Sequence, residues 1–278
     1  MTRIESASSI STFQQCSRKY FYRYKLQLPE KKGIAAVNGQ VVHATLEEFY
    51  TFPIETLTEN YQQQLKSYLF SCFSKAWVAA IPDLQEVKEN KDAIHNYYQE
   101  SLQMLQNFTE LFFERLEKEK QTNSIQQAFT NLKPESEVYI LSEKHQLHGY
   151  IDAIQKRNGE ILILDYKTSR KDDVTDDYKR QLTIYGLLYK QKFGNLPHKV
   201  GLYFLRHNRE KFMEINEQLI ENIEKECAQV HTKTVSEKIE EYPKNLGSWC
   251  KWCDYQSVCF GQKSVQEFLQ KETISQKI

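Results

Sequence analysis

Glycine and proline are scarce in this 278-residue chain, at nine and six. That argues against a loop-rich or disordered polymer. Net charge is missing too, since Lys+Arg and Asp+Glu both total 37. No overall basic field announces a nucleic-acid partner, so any such footprint has to be local. No apolar run approaches the ~20 residues of a membrane span. The first residues, Met1 to Ala7, lack the apolar core of a signal peptide. There is no internal repeat, no low-complexity segment and no Gly-x-x-x-x-Gly-Lys-Ser/Thr loop, which argues against ATP hydrolysis through a P-loop. The expectation is a soluble, cytoplasmic protein with no membrane partner, long enough for one large or two modest domains.

What the chain does have is a stretch, 147–168, that reads as a β-hairpin. Two apolar, β-branched runs flank a polar turn containing Asn158-Gly159, a strong short-range hairpin signal. Ionisable residues interrupt both arms: Asp152 on the first, Asp165 and Lys167 on the second. Asp165 and Lys167 are two apart and share a strand face. If the arms pair Asp152 near Asp165, two carboxylates and an ammonium converge. Two adjacent carboxylates repel, and a hard divalent cation such as Mg²⁺ or Mn²⁺ relieves that. The bland alternative is a solvent-facing salt bridge.

Upstream, Ser9 or Ser11 is positioned to N-cap a short helix running through Phe13 toward Tyr24. Its run Arg18 to Lys25 interleaves cations with aromatics, which suits stacking on bases and a buried tyrosine-rich face, and the two are compatible if Tyr20 and Tyr24 are core while Arg18 and Lys25 stay wet. A helix over about 37–50 places His43 and Glu47 one turn apart. Residues 55–130 carry apolar side chains at helical spacing and no catalytic constellation. Glu137 to Leu141 is a strand candidate. Thr175 and its flanking acids suit the start of a helix over about 176–192, on which Gln181 and Tyr185 share a face. Lys199 to Leu205 reads as another strand, with Arg206, His207 and Arg209 at its end, and a helix follows over about 215–240. The predicted order is α-β-β-β-α-β, an α/β fold with a mixed sheet.

Six cysteines in a cytosolic chain point to metal ligation or buried thiols before disulfides. Cys250, Cys253 and Cys259 fall within ten residues. Three thiolates need a fourth ligand, with Cys16, Cys72 and Cys227 as candidates. Structural zinc and a four-thiolate iron–sulfur cluster both accept such a set. The single Cys-x-x-Cys knuckle departs from the zinc-ribbon pattern and favours the cluster.

Taken together, these segments resemble the RecB-like branch of the PD-(D/E)XK nuclease superfamily, in particular its iron–sulfur members, such as the AddB nuclease domain and the CRISPR-associated RecB-like nucleases. The carriers are Ser9 to Tyr20 around Cys16, Gly39 to His43, Gly149 to Asp152, Asp165-Tyr166-Lys167-Thr168, Gln181 to Tyr185, and the terminal cysteines. Ser17 stands where the family often has proline.

The resemblance implies a restriction-endonuclease-like core. It implies a divalent metal, Mg²⁺ or Mn²⁺, held by His43, Asp152, Asp165 and the Tyr166 carbonyl. Lys167 would orient water, and Gln181 and Tyr185 would support the site or touch DNA. A 4Fe–4S cluster would sit on Cys16, Cys250, Cys253 and Cys259, with Zn²⁺ the alternative, joining the two ends of the chain. The implied activity is a metal-dependent DNA nuclease, an exonuclease on single strands or DNA ends, in DNA repair or CRISPR adaptation with a helicase or adaptation subunit as partner. The alternative is a non-catalytic DNA-binding subunit of a helicase–nuclease complex. The expected divisions are 1–52 and 134–240 for the nuclease domain, 53–133 for a helical insertion and 241–278 for the cluster segment.

Overall fold

The computed structural model describes residues 3–87 and 91–275. In chain order its α-helices are α1 (Ala7–Gln15), α2 (Ser17–Tyr20), α3 (Ile34–Phe49), α4 (Tyr61–Ala79), α5 (Ile81–Glu86), α6 (Lys91–Lys120), α7 (Ile125–Leu132), α8 (Asp176–Phe193), α9 (Glu217–Lys233), α10 (Gln256–Cys259) and α11 (Val265–Ser275). The strands are β1 (Glu135–Ser142), β2 (Leu147–Arg157), β3 (Glu160–Lys167), β4 (Lys199–Phe204) and β5 (Arg209–Glu214). They form one five-stranded sheet in the order β1-β2-β3-β4-β5. The sheet is mixed: β2–β3 and β4–β5 are antiparallel and β3–β4 is parallel. The chain divides into two compact units, one from Met1–Lys31, Leu141–His148 and Glu221–Ile278, the other from Lys32–Ile140 and Gly149–Ile220.

In the second unit, the β2–β3 turn forms as its dipeptide demands. Asn158 and Gly159 both take positive φ, 51° and 81°, which suits Asn-Gly and matches the strand twist. Thr175 caps α8, accepting from the Tyr178 N–H, and Gly194 ends that helix in the left-handed region. The core of this unit packs Phe49, Leu65, Phe73, Phe108, Phe112 and Phe129 of the helical layer against Ala153, Leu164, Tyr166 and Tyr203 of the sheet. Each such aromatic contributes about 1.5–3 kcal/mol by leaving water. Glu210 of β5 sits between two guanidiniums, each bound bidentately: Arg115 of α6 at 2.7 and 3.0 Å, Arg157 of β2 at 2.8 Å twice.

Several boundaries differ from the sequence expectation. The strand β5 was not anticipated, and Arg209 opens it rather than trailing β4. A 3-10 turn over Leu205–His207 leads to Asn208, whose left-handed φ of 48° reverses the chain. The alternating charges of β5 hid its strand character. Pro82 occupies the first turn of α5, where its missing N–H costs nothing. The last long helix, α9, stops at Lys233, short of 240.

In the first unit the N-cap of α1 is Ser6, not Ser9 or Ser11. Ser6 and Ser9 exchange side chain-to-backbone bonds of 3.3 and 2.8 Å, a reciprocal cap. Cys16 is extended (φ −162°) and ends the helix. After α2, a π-type turn over Phe21–Lys25 is closed by Leu26 N–H to the Phe21 carbonyl at 3.0 Å. Tyr20, Phe21 and Tyr22 are buried with Tyr242, Tyr255 and Phe268, and Tyr20 stacks parallel to Tyr242. These rings are core and have no face to offer a base. The tyrosine-rich buried face is the reading that holds.

Candidate active site

All the acidic, imidazole and amide groups singled out in the sequence lie in the second unit. The register Ala153↔Leu164 ends one position before Asp152. There the Asp152 side chain takes over from the ladder: its Oδ2 accepts the Tyr166 backbone N–H at 2.7 Å. From α3, His43 reaches the same point. Its Nε2 lies 2.9 Å from the Tyr166 carbonyl and its Nδ1 3.3 Å from Asp152 Oδ2. Tyr166 therefore presents both backbone polar groups to the site while its ring is buried in the core. Such a placement follows from strand alternation, which sends Tyr166 one way and its neighbours Asp165 and Lys167 the other.

Asp165 and Lys167 are joined at 2.6 Å (Nζ to Oδ2). The bland salt bridge fails on exposure, because Asp165 is 3% exposed. A single amide ties this pair to α8. Gln181 Nε2 donates to Asp165 Oδ1 at 2.8 Å and to the Tyr185 hydroxyl at 2.9 Å, while its Oε1 accepts from Lys167 Nζ at 2.9 Å. Lys167 Nζ also lies 4.6 Å from the Tyr178 ring centroid. α8 packs closely on Gly149: a Cβ there would stand 3.1 Å from Leu188 Cδ1 and 3.2 Å from Tyr185 Cε1, so either side chain would have to shift by a few tenths of an ångström.

Burial pushes the Asp152 carboxyl well above its ordinary range, and repulsion from Asp165 adds to it. Burial lowers the His43 imidazole, with Asp165 pulling the other way. A third carboxylate was missed. Glu137 of β1 lies with His43 and Asp152, one ligand atom from each falling within 4.8 Å of the others. Burial, then Glu47 and Asp165, raise its carboxyl. The available signal was the same one that exposed Asp152, a charge inside a strand. Glu137 also takes a positive φ of 50°, which no periodicity reveals.

The donor set fits a hard cation. Octahedral Mg²⁺ with ligands at about 2.1 Å places adjacent donors about 3.0 Å apart. His43 Nε2 and the Tyr166 carbonyl have that spacing. Asp165 Oδ2, fully buried, touches Lys167 but has no aligned hydrogen-bond donor. Thus His43, Glu137, Asp152 and the Tyr166 carbonyl converge, and Asp165 is turned toward Lys167 and Gln181.

In the first unit, Cys16, Cys250, Cys253 and Cys259 line one pocket, with Tyr22 and Tyr255 beside them. All are free thiols. Cys72 and Cys227 are buried elsewhere. Backbone N–H groups of Asn245 and Gly247 point at Cys16 Sγ and Cys250 Sγ, both at 3.5 Å. Burial raises the Cys253 and Cys259 thiols.

A family model described as the PD-(D/E)XK nuclease superfamily matches residues 5–260. Among solved structures, the chain is similar to a protein of Eubacterium rectale named "Putative exonuclease", at 13% identity and a TM-score of 0.49 over 91% of this chain and 88% of that one. It is also similar to the protein SSO0001, at 19% identity and a TM-score of 0.34, covering 89% and 96% of the two chains. No curated protein matches. No helix among the described residues is long and apolar enough to cross a membrane.

Proposed function

Given that the chain belongs to the PD-(D/E)XK nuclease superfamily and is a phosphodiester hydrolase, we propose that it is a metal-dependent deoxyribonuclease of the RecB-like iron–sulfur branch, acting on single strands or DNA ends. The observation that carries this is the convergence of His43, Glu137, Asp152 and the Tyr166 carbonyl beside the Asp165–Lys167–Gln181 bridge. His43, Asp152, Asp165 and Tyr166 would hold Mg²⁺ or Mn²⁺, with Glu137 as a further oxygen donor. A bound divalent cation supplies a polarised water and charge neutralisation at the phosphate.

The chain's own residues do the rest. Lys167 presents an ammonium fixed by Asp165 and Gln181, able to orient an attacking water and offset charge developing on phosphate oxygens. The Gln181 amide has one orientation that satisfies all three neighbours, because its oxygen must face Lys167 and its nitrogen Asp165. Tyr185 closes that bridge from α8 and buries its back. The Tyr166 N–H holds Asp152 in place.

The four cysteines are assigned to a 4Fe–4S cluster. Four thiolates from one Cys-x-x-Cys knuckle and two further cysteines depart from the paired knuckles of a zinc ribbon, which favours the cluster over zinc. A cubane cluster is held by four thiolates, the number that line this pocket.

The test is incubation of anaerobically purified protein with end-labelled single-stranded DNA and Mg²⁺ or Mn²⁺. Cleavage that survives Asp165→Ala or Lys167→Ala sinks the assignment. A colourless anaerobic preparation with stoichiometric zinc and no iron replaces the cluster with zinc.

A further inference from the structure

Near the candidate site, the second unit exposes aromatic rings that its core does not use. Tyr139 of β1 and Tyr150 of β2 are 45% and 55% exposed, with centroids 4.9 Å apart and planes at 46°. Each stands two residues from a carboxylate of the site: Tyr139 from Glu137, Tyr150 from Asp152. At about 3.3 Å per strand residue, the rings sit about 7 Å along the strands from those acids. A stacked nucleotide strand advances about 3.4 Å per nucleotide, so that distance spans one or two nucleotides.

A cation accompanies the rings. Lys192, in the last turn of α8, reaches the Tyr139 carbonyl at 3.4 Å and lies 5.5 Å from the ring of Phe193, itself 41% exposed. The patch thus combines π-faces with one ammonium beside carboxylates assigned to phosphodiester cleavage. Aromatic faces accept any unpaired base, and a nearby cation suits the phosphate beside it. Bases inside a duplex keep their faces covered by their neighbours, so an unpaired segment is the occupant this chemistry selects. β1 is also the edge of the sheet, with no further strand beyond it among the described residues.

We propose that Tyr139 and Tyr150 form a stacking platform for an unpaired nucleobase, one or two nucleotides from the phosphate that is cleaved. The proposal rests on the nuclease reading of the site and specifies how that site selects single strands.

The experiment is binding without turnover, using the full-length protein in EDTA. The probes are oligodeoxythymidylates carrying one 2-aminopurine at successive positions, together with the same oligonucleotides annealed to a complement. Expected are quenching at one or two adjacent positions of the single strand, little on the duplex, and affinity lowered on the order of tenfold by Tyr150→Ala or Tyr139→Ala. Tyr150→Phe, which keeps the ring and the fold, retains both quenching and affinity. Alanine variants that bind and quench like the wild type overturn the platform. So does a change confined to sedimentation, which would mark the patch as an interface between copies. A wild type that binds and quenches but never cleaves with Mg²⁺ or Mn²⁺ supports the platform and sinks the nuclease reading, so the two failures are distinguishable.

Discussion

At the scale of single residues, the site is two groups of side chains that meet through Tyr166. Its carbonyl faces His43 and its N–H holds Asp152. The neighbouring Asp165 and Lys167 answer to Gln181. Lys167→Ala is expected to lower cleavage by on the order of 10²- to 10³-fold, the usual effect of removing a charge-stabilising donor. Single-turnover rates on a labelled strand check it. The buried Asp152 makes a separate pH prediction for metal-free protein. Its carboxyl is raised above the usual 3.8 by burial, then by Asp165. The folded state therefore holds a proton that the unfolded chain releases. Stability from this group is fully present below the unfolded pKa and is lost as pH rises through the folded one. Thermal melts in EDTA should fall as pH rises over that window. Asp152→Asn should flatten the slope, and added Mg²⁺ should raise the melting temperature most at the upper end.

At the scale of elements, α8 and β5 fix the sheet on opposite sides of β3 in different ways. Gly149→Ala is expected to destabilise by about 1–3 kcal/mol, the usual cost of overpacking, and to slow cleavage by displacing Tyr185. Denaturant unfolding and kinetics together measure both. Glu210→Ala leaves Arg115 and Arg157 facing each other without their shared carboxylate. The expected cost is about 3 kcal/mol, the lower end for a broken buried pair, because both arginines keep some solvent. Burial works to raise the Glu210 carboxyl, but the two guanidiniums outweigh it and the net shift is downward. Stability from Glu210 is thus present above the ordinary carboxylate range and is lost as pH falls through the lowered folded pKa. Glu210→Gln should make acid unfolding less steep.

The elements also differ in how legible they were. The β2–β3 hairpin, the start of α8 and the helices α4 and α6 could be read because Asn-Gly, Thr175 and apolar periodicity act locally. The strand β5 and the π-type turn could not. Their identity depends on partners, β4 for one and the buried aromatics around Tyr242 for the other. The site was readable where a charge broke an apolar strand, as at Asp152 and Asp165. Glu137 escaped because six of the eight residues of its strand are exposed or half-exposed, where a glutamate is unremarkable.

At the scale of the whole molecule, the cysteine pocket ties residue 16 to residues 250–259 within the first unit. If a cluster occupies it, binding is coupled to the folding of that unit. Cys250→Ala is expected to lower bound iron and to speed proteolysis within residues 3–31, while leaving the second unit's protease-resistant fragment intact. Timed digestion with mass spectrometry reads both. The same discontinuity governs the order in which the protein is made. A ribosome delivers α1 and α2 before the second unit and the Tyr242, Tyr255 and Cys250–Cys259 segments after it. All of the second unit, with its own core and sheet, emerges in between. The opening segment must therefore wait through most of synthesis with Tyr20, Phe21 and Tyr22 uncovered. Until those segments emerge, the three aromatic side chains lack the partners that bury them in the finished fold.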